Sequence, residues 1–139
     1  MAEYKLISDF LKSISFNSPS VPELFFKNEN TQAKMDINID IQIKSSENKL
    51  FMVDLLTKLH SKLDGDKTVF MIDSVYSAVV QVEKNENEED LKHTLLVDVP
   101  TQIFPNIWTL VLHLTTESGF PPFKMNMVDF EKLYKEKNK

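Results

Sequence analysis

The clearest hydrophobic pattern in the chain is a strict alternation over residues 35–44, where every second side chain from Met35 to Ile43 is apolar. A period of two places these apolar side chains on one face of a β-strand. Residues 50–63 and 68–82 are two further long runs rich in Leu, Val, Phe and Ile, each preceded by a short turn-forming segment. The three runs together predict an antiparallel meander.

A shorter alternating stretch, residues 13–17, predicts a fourth strand that precedes the meander. The loop S-P-S-V-P and a polar segment separate this strand from the next one, so the connection is predicted to be a crossover rather than a hairpin. Residues 68–82 carry apolar side chains on both faces. A helical layer or another subunit must therefore cover each side of the sheet.

Helical patterns follow the strands. The acidic residues 85–90 predict a solvated loop that leads into a helix, because carboxylates stabilise a helix N-terminus. Pro100 and Pro105 interrupt this helix. The run 103–117 is apolar nearly all round, which predicts burial between layers, here between protomers.

The last part of the chain predicts one more helix. Gly119 is expected to end the preceding run, and Asp129 is expected to cap an amphipathic helix at residues 130–137. Four strands followed by helices predict an α+β domain. Its four-stranded antiparallel sheet has a crossover after the first strand and then a meander, and a long kinked helix and a short C-terminal helix cover it.

Length and composition narrow the function. The 139 residues fit one domain, 1–139, with flexible ends expected at 1–9 and 136–139. The absence of Cys excludes disulfides, and a net charge of −5 makes nucleic acid and anionic membranes poor partners. The first ten residues lack the apolar run of a secretory signal, and no apolar stretch reaches the roughly 18 residues of a membrane span. A soluble, cytoplasmic protein is predicted.

No catalytic or metal-binding constellation emerges from the residue spacing. The three His residues fall on separate predicted elements without the spacing of metal ligands. Asp54 and Asp73 lie on neighbouring predicted strands and are the one candidate carboxylate pair, although solvated strand charges are far commoner. We therefore predict that the chain is not an enzyme and needs no cofactor.

The segment S-G-F-P-P-F-K-M-N-M-V-D-F-E-K-L-Y places soft apolar side chains on a stretch that its prolines make a loop. Met125 and Met127 stand in this loop. Flexible thioethers conform to many shapes and are over-used on surfaces that accept varied apolar partners. Binding of varied apolar sequences and simple core filling both remain open for these two residues.

Four segments resemble the SecB family of bacterial protein-export chaperones. They are K-S-I-S-F-N-S-P-S-V-P, K-M-D-I-N-I, D-V-P-T-Q-I-F-P-N, and G-F-P-P followed by V-D-F-E-K-L-Y, and the resemblance spans about residues 10–134. It implies that two subunits join edge to edge into an eight-stranded sheet. Two such dimers are then expected to pack through their long helices into a homotetramer.

The resemblance also implies a function: an ATP-independent holdase that binds non-native secretory precursors along apolar grooves and passes them to the translocase motor SecA. The residues implied for the groove are Ala33, Met35, Ile37, Phe123, Met125, Met127 and Phe130. Those implied for SecA are Ser13, Asn17, Met71 and Asp73. Two of these positions that are commonly acidic in the family are neutral here, so that Asp73 is the only matched charge.

Two alternatives remain open. A SecB-like chaperone dedicated to a single client, such as an antitoxin, is compatible with the weakened acidic patch. A protein of a different class, a carrier of a hydrophobic small ligand, would use the Met- and Phe-rich loop as a lid over a cavity.

Overall fold

The computed structural model describes residues 3–19, 34–63, 67–84, 87–119 and 128–137 of the chain. These residues form one four-stranded sheet and a set of helices that covers one of its faces.

All four strands are antiparallel neighbours. They are β1 (Glu3–Asn17), β2 (Lys34–Ser45), β3 (Leu50–Leu63) and β4 (Lys67–Lys84), and their order in the sheet is β1-β4-β3-β2. The crossover after the first strand and the meander that follows are confirmed. In this order β1 and β2 are the two edge strands.

Strand β1 is three times as long as the sequence predicts. It begins at Glu3 rather than at Ser13, and residues 3–9, expected to be a flexible end, pair with β4. The register shifts between Leu6 and Ser8 and again between Leu11 and Ser13. Each shift moves the apolar side chains to the opposite phase, so no simple alternation marks the first half of the strand.

The turn between β2 and β3 is tight and is found where the sequence predicts it. Asn48 and Lys49 both have positive φ, at 62° and 60°. Asn tolerates this left-handed conformation, whereas Lys adopts it rarely. The other predicted hairpin turn, residues 64–66, lies outside the described residues.

Alternate residues of each strand divide the sheet into two faces. One face, here called the helix face, carries the buried core of the strands, including Leu55, Leu59, Ile72 and Val80. The opposite face, here called the open face, carries mainly polar or half-buried side chains. The helices of the chain therefore cover one side of the sheet.

The long helix runs without a break across both prolines. It comprises α1 (Glu88–His93), a π-helical turn (Thr94–Asp98) and α2 (Val99–Glu117). The predicted interruption at Pro100 and Pro105 is wrong. In the π turn the Val99 N–H donates to the Thr94 carbonyl, five residues back, so the chain is already widened where the Pro100 ring must fit.

Helix α2 buries one stripe and exposes another. Ile103, Phe104, Ile107 and Val111 pack on the sheet and are at most 2% exposed. The outer stripe is polar rather than apolar, in contrast to the sequence prediction, and contains Gln102, Asn106, Thr109, His113 and Thr116. The helix from Glu88 to Glu117 is long and apolar enough to cross a membrane by length and composition, although core helices of water-soluble proteins pass the same test.

The ends of the last two helices follow the predicted local chemistry. Gly119 has φ of 90° and follows the end of α2, and its N–H donates to the Thr116 carbonyl. The final helix, α3 (Phe130–Lys137), is capped by Asp129, whose side chain accepts a hydrogen bond from the Lys132 N–H at 3.1 Å. Asp129 is confirmed as the N-cap.

Candidate functional site

The structure describes three of the seven predicted groove residues: Met35 and Ile37 on β2, and Phe130 on α3. The other four, Ala33, Phe123, Met125 and Met127, lie outside the described residues. The groove as a whole therefore stays a prediction, and its described wall is the helix face of β2.

An apolar strip runs along β2 at the edge of the sheet. Ile37 pairs with Leu59, which pairs with Ile72, which pairs with Phe16, so one apolar row crosses all four strands. The two central side chains of this row are 1% exposed, whereas Ile37 at the edge is 39% exposed. An exposed side chain continuous with a buried core adds contact area to any chain laid beside it.

The strip extends beyond the residues that the resemblance indicated. Met35, Ile39 and Ile41 pack partly against the core, and Ile43 is 37% exposed on the same face. The strict alternation of β2 contained this signal, since all five apolar side chains share one face. The candidate surface is thus the full length of β2 rather than its first half.

Phe130 does not line an open surface in this structure. Its side chain is 2% exposed, and its ring meets that of Phe104 edge to face at a centroid distance of 5.7 Å. Phe130 therefore anchors α3 to α2 from within the core. Any role in the groove is indirect as long as α3 keeps this position.

The four residues predicted to contact SecA are brought together on the open face. Asn17 on β1 pairs with Met71 on β4, and Ser15 pairs with Asp73. Ser13 lies two residues further along β1 on the same face. The face has a shallow depression of about 220 Å³ here, lined among others by Ser13, Lys58 and Asp73.

Asp73 is flanked by basic side chains. Its Oδ1 lies 3.3 Å from His60 Nε2, and Lys58 is its direct partner on β3. The side chains of His60 and Asp73 are 32% and 49% exposed, so the pair is solvent-screened and weak. The matched patch is close to neutral rather than acidic.

Three exposed apolar side chains, here called the cluster on β1, lie along this edge strand and were missed by the sequence predictions. They do not share one face, because Phe10 lies on the open face and Leu11 on the helix face. Ile7, Phe10 and Leu11 are 49%, 39% and 37% exposed on this edge strand. The cluster was missed because the strand was predicted to begin at Ser13. An edge strand with exposed backbone groups and apolar side chains is a ready surface for pairing with another chain.

The candidate carboxylate pair does not form. Asp54 pairs with Ser77 and Asp73 pairs with Lys58, so the row that contains Leu56 and Val75 separates the two acids. Asp54 is 3% exposed, accepts a hydrogen bond from Ser77 Oγ at 2.5 Å and lies 3.7 Å from Lys12 Nζ. Its role is structural, because its buried charge has both a donor and a cation beside it.

Two tyrosines near the long helix have a raised pKa. Tyr4 on β1 donates directly to Gln102 Oε1 of α2 at 2.6 Å. Tyr76 on β4 is connected to the helix through Asp9. Burial, followed by the hydrogen bond to Asp9, raises the pKa of Tyr76. Burial, followed by the charge of Asp98, raises the pKa of Tyr4. Tyr76 donates to Asp9 Oδ2 at 2.9 Å, and Asn106 Nδ2 donates to the same oxygen at 2.8 Å. This network fixes α2 on the sheet.

The family of the chain follows from comparison with known proteins. The family model described as preprotein translocase subunit SecB matches residues 1–139. The chain therefore belongs to the SecB family, a family of protein-export chaperones.

Individual relatives have the same name. The protein-export protein SecB of Desulfotalea psychrophila is 30% identical over 135 residues, which are 95% of this chain and 84% of that protein. The protein-export protein SecB of Caulobacter vibrioides (strain NA1000 / CB15N) is 29% identical over 133 residues, covering 96% of this chain and 80% of that protein.

A solved structure has the same fold. The Mycobacterium tuberculosis SecB-like chaperone Rv1957, in complex with a ChAD peptide from the HigA1 antitoxin, matches with a TM-score of 0.75 at 15% identity. The match covers 91% of each chain. It supports the assignment of the sheet and helices to the SecB-like fold.

Proposed function

We propose that the chain is an ATP-independent holdase that binds non-native secretory precursors, keeps them competent for translocation and delivers them to SecA in the cytoplasm. The observation that carries the proposal is the apolar strip of β2, where the exposed Ile37 continues a buried row of the core. Holding needs no chemistry at this surface. Among the described residues, no group of three or more His, Asp or Glu side chains is arranged to hold a metal ion.

The strip provides a suitable physical driving force. An extended client segment that buries a few hundred Å² of apolar surface gains several kcal/mol at roughly 25 cal/mol per Å². Much of this gain offsets the ordering of the client chain, so one strip binds weakly. Several strips on one oligomer would raise the apparent affinity, because later contacts are intramolecular.

The exposed cluster on β1 supports a tetrameric assembly. Pairing of two β1 edges would cover Ile7 and Phe10 and would join two sheets into one of eight strands. Packing of two such dimers through α2 would cover its outer stripe, where polar side chains such as Asn106 and Thr109 are exposed. A polar stripe favours an interface that is hydrogen-bonded rather than purely apolar.

A chaperone dedicated to one client is the second candidate. The M. tuberculosis neighbour was solved with an antitoxin peptide, and the matched SecA patch of this chain is close to neutral. A lipid-type carrier is less well supported. A described depression of about 370 Å³ is lined by Asn38, Asp40 and Lys58 as well as apolar side chains, and charged walls suit a lipid tail poorly.

Breadth of binding distinguishes the first two candidates. Fluorescence anisotropy would be measured with unfolded segments of several unrelated precursors and with antitoxin-derived peptides. Comparable affinity for the unrelated precursors supports the general holdase. Tight binding of one peptide with no measurable binding of the precursors would replace it with the dedicated chaperone.

A further inference from the structure

Helix α3 is held to the end of α1 and to the π turn by a cluster centred on His93, which belongs to neither predicted site. His93 Nε2 lies 2.6 Å from Glu131 Oε2, and His93 Nδ1 lies 3.7 Å from Asp98 Oδ2. The Tyr134 ring meets the imidazole at 86° with a centroid distance of 5.8 Å. Both ring nitrogens thus face carboxylates, and two residues of α3 contact one side chain.

The cluster follows from local geometry. Glu131 and Tyr134 are three residues apart and therefore share one side of α3. His93 is the last residue of α1, and the π turn brings Asp98 back to it from five residues further on. Among the described residues, these side chains do not form a group arranged to hold a metal ion. The contacts of the cluster are directed between protein elements.

Helix α3 needs such contacts to keep a fixed position. It has eight residues, and isolated helices of this length are unstable in water. Phe130 inserts into the core against Phe104, and Leu133 and Tyr134 pack partly against the core, but apolar packing has no preferred direction. The contact from Glu131, one residue after Phe130, is directional because a hydrogen bond has a preferred angle.

We propose that His93 is a positioning residue for client binding, because through Glu131 it fixes the rotation and register of α3, whose first residue, Phe130, is among the residues implied for the groove. This inference rests on the proposed holdase function. The acceptor is Glu131 on α3, with Asp98 as the second carboxylate and Tyr134 as the packing partner. The side chains of His93, Glu131 and Asp98 are 34%, 42% and 37% exposed, so the contact sets geometry more than global stability.

The test compares His93→Ala, Glu131→Gln and the double variant with the wild-type protein. Amide hydrogen exchange of α3 is measured without client, and the affinity for a fluorescent unfolded precursor segment is measured in parallel. We expect exchange within α3 to accelerate and affinity to fall, each about three- to tenfold, in either single variant. The double variant should show no faster α3 exchange and no lower client affinity than the more impaired of the two single variants, because both changes remove the same contact.

Glu136→Gln is the matched control, since it neutralises an exposed carboxylate on the same helix. It should leave both readouts at their wild-type values. Unchanged α3 exchange in His93→Ala, unchanged client affinity despite faster exchange, or additive losses in the double variant would each overturn the proposal. Because exchange is measured in the free protein, loss of the His93–Glu131 contact is distinguished from a failure of the chain to bind clients at all.

Discussion

The described residues of the predicted groove differ in their burial. Ile37 is an exposed side chain on the rim of the core, whereas Phe130 is a buried anchor. Sequence alone marks both as apolar positions of an amphipathic element, because periodicity reports the face of an element and not what covers that face. The two residues are therefore expected to respond oppositely to substitution.

Ile37→Asp is expected to reduce affinity for unfolded polypeptides by about tenfold or more, because it places a charge where client apolar surface must bind. Its effect on stability should be small, since the side chain is already 39% exposed. Asn38→Asp is the matched control on the opposite face of the same strand. Anisotropy titration and thermal denaturation check the pair. Equal loss of affinity in both variants would place the binding surface elsewhere.

Phe130→Ala is expected to lower the free energy of unfolding by about 3–5 kcal/mol, the usual cost of removing a fully buried aromatic ring. Chemical denaturation measures this value. A loss below about 1 kcal/mol would contradict the anchoring role of Phe130 and would imply that α3 is not docked in solution.

Alkaline pH tests the hydrogen-bond network of the tyrosines. The pKa of Tyr76 is raised in the folded state, so its contribution to stability is present below about pH 10 and is lost as the pH rises through the raised value. We expect the free energy of unfolding to fall more steeply above pH 10 in the wild-type protein than in Tyr76→Phe. Identical pH profiles would contradict the network.

At the scale of elements, the sequence predicts β2, β3, β4 and the final helix almost to the residue. Strand β2 has an unbroken alternation, β3 and β4 are long runs rich in Leu, Val, Phe and Ile that follow turn-forming segments, and the final helix has a clear capping residue. The first half of β1 escaped prediction because three register shifts along the strand change the phase of its apolar residues. The continuity of the long helix escaped it because a π turn relieves the clash that Pro100 would otherwise impose on a regular helix.

The predicted SecA contact on the open face of the sheet can be tested by substitution. Asp73→Asn should weaken binding of SecA while leaving client affinity unchanged, since the carboxylate lies on the face opposite the apolar strip. The loss should be modest, about two- to fivefold, because the charge is exposed and already beside His60. Asp36→Asn, an acid on the same face but outside the matched patch, is the control. If surface plasmon resonance with SecA shows equal effects for both variants, the patch assignment is wrong.

In the whole molecule, the exposed apolar side chains of β1 and of β2 are expected to have different roles. The cluster on β1 should disappear into an interface between subunits, whereas the strip on β2 must stay accessible for clients. The face of the sheet on which the β2 side chains lie was predictable from alternation alone. Their exposure was not, because it depends on how the helices pack against the sheet.

Charge placed on the β1 edge is expected to break the assembly. Phe10→Asp should convert a tetramer of four 16.1 kDa chains into smaller species, because a carboxylate would be buried at the pairing edge. Ser8→Asp, two residues away on the same strand, should have a smaller effect. Light scattering measures the mass, and a wild-type protein that is already monomeric would contradict the edge-to-edge interface.

The proposed function requires that the chain bind non-native polypeptides without nucleotide. The most direct measurement is the refolding rate of a denatured precursor protein, diluted into buffer that contains increasing amounts of the chaperone and no ATP. We expect refolding to slow in proportion to the wild-type chaperone added, and to slow much less when the Ile37→Asp variant is added at the same concentrations. If refolding in an excess of wild-type chaperone is as fast as refolding without chaperone, the holdase function is contradicted.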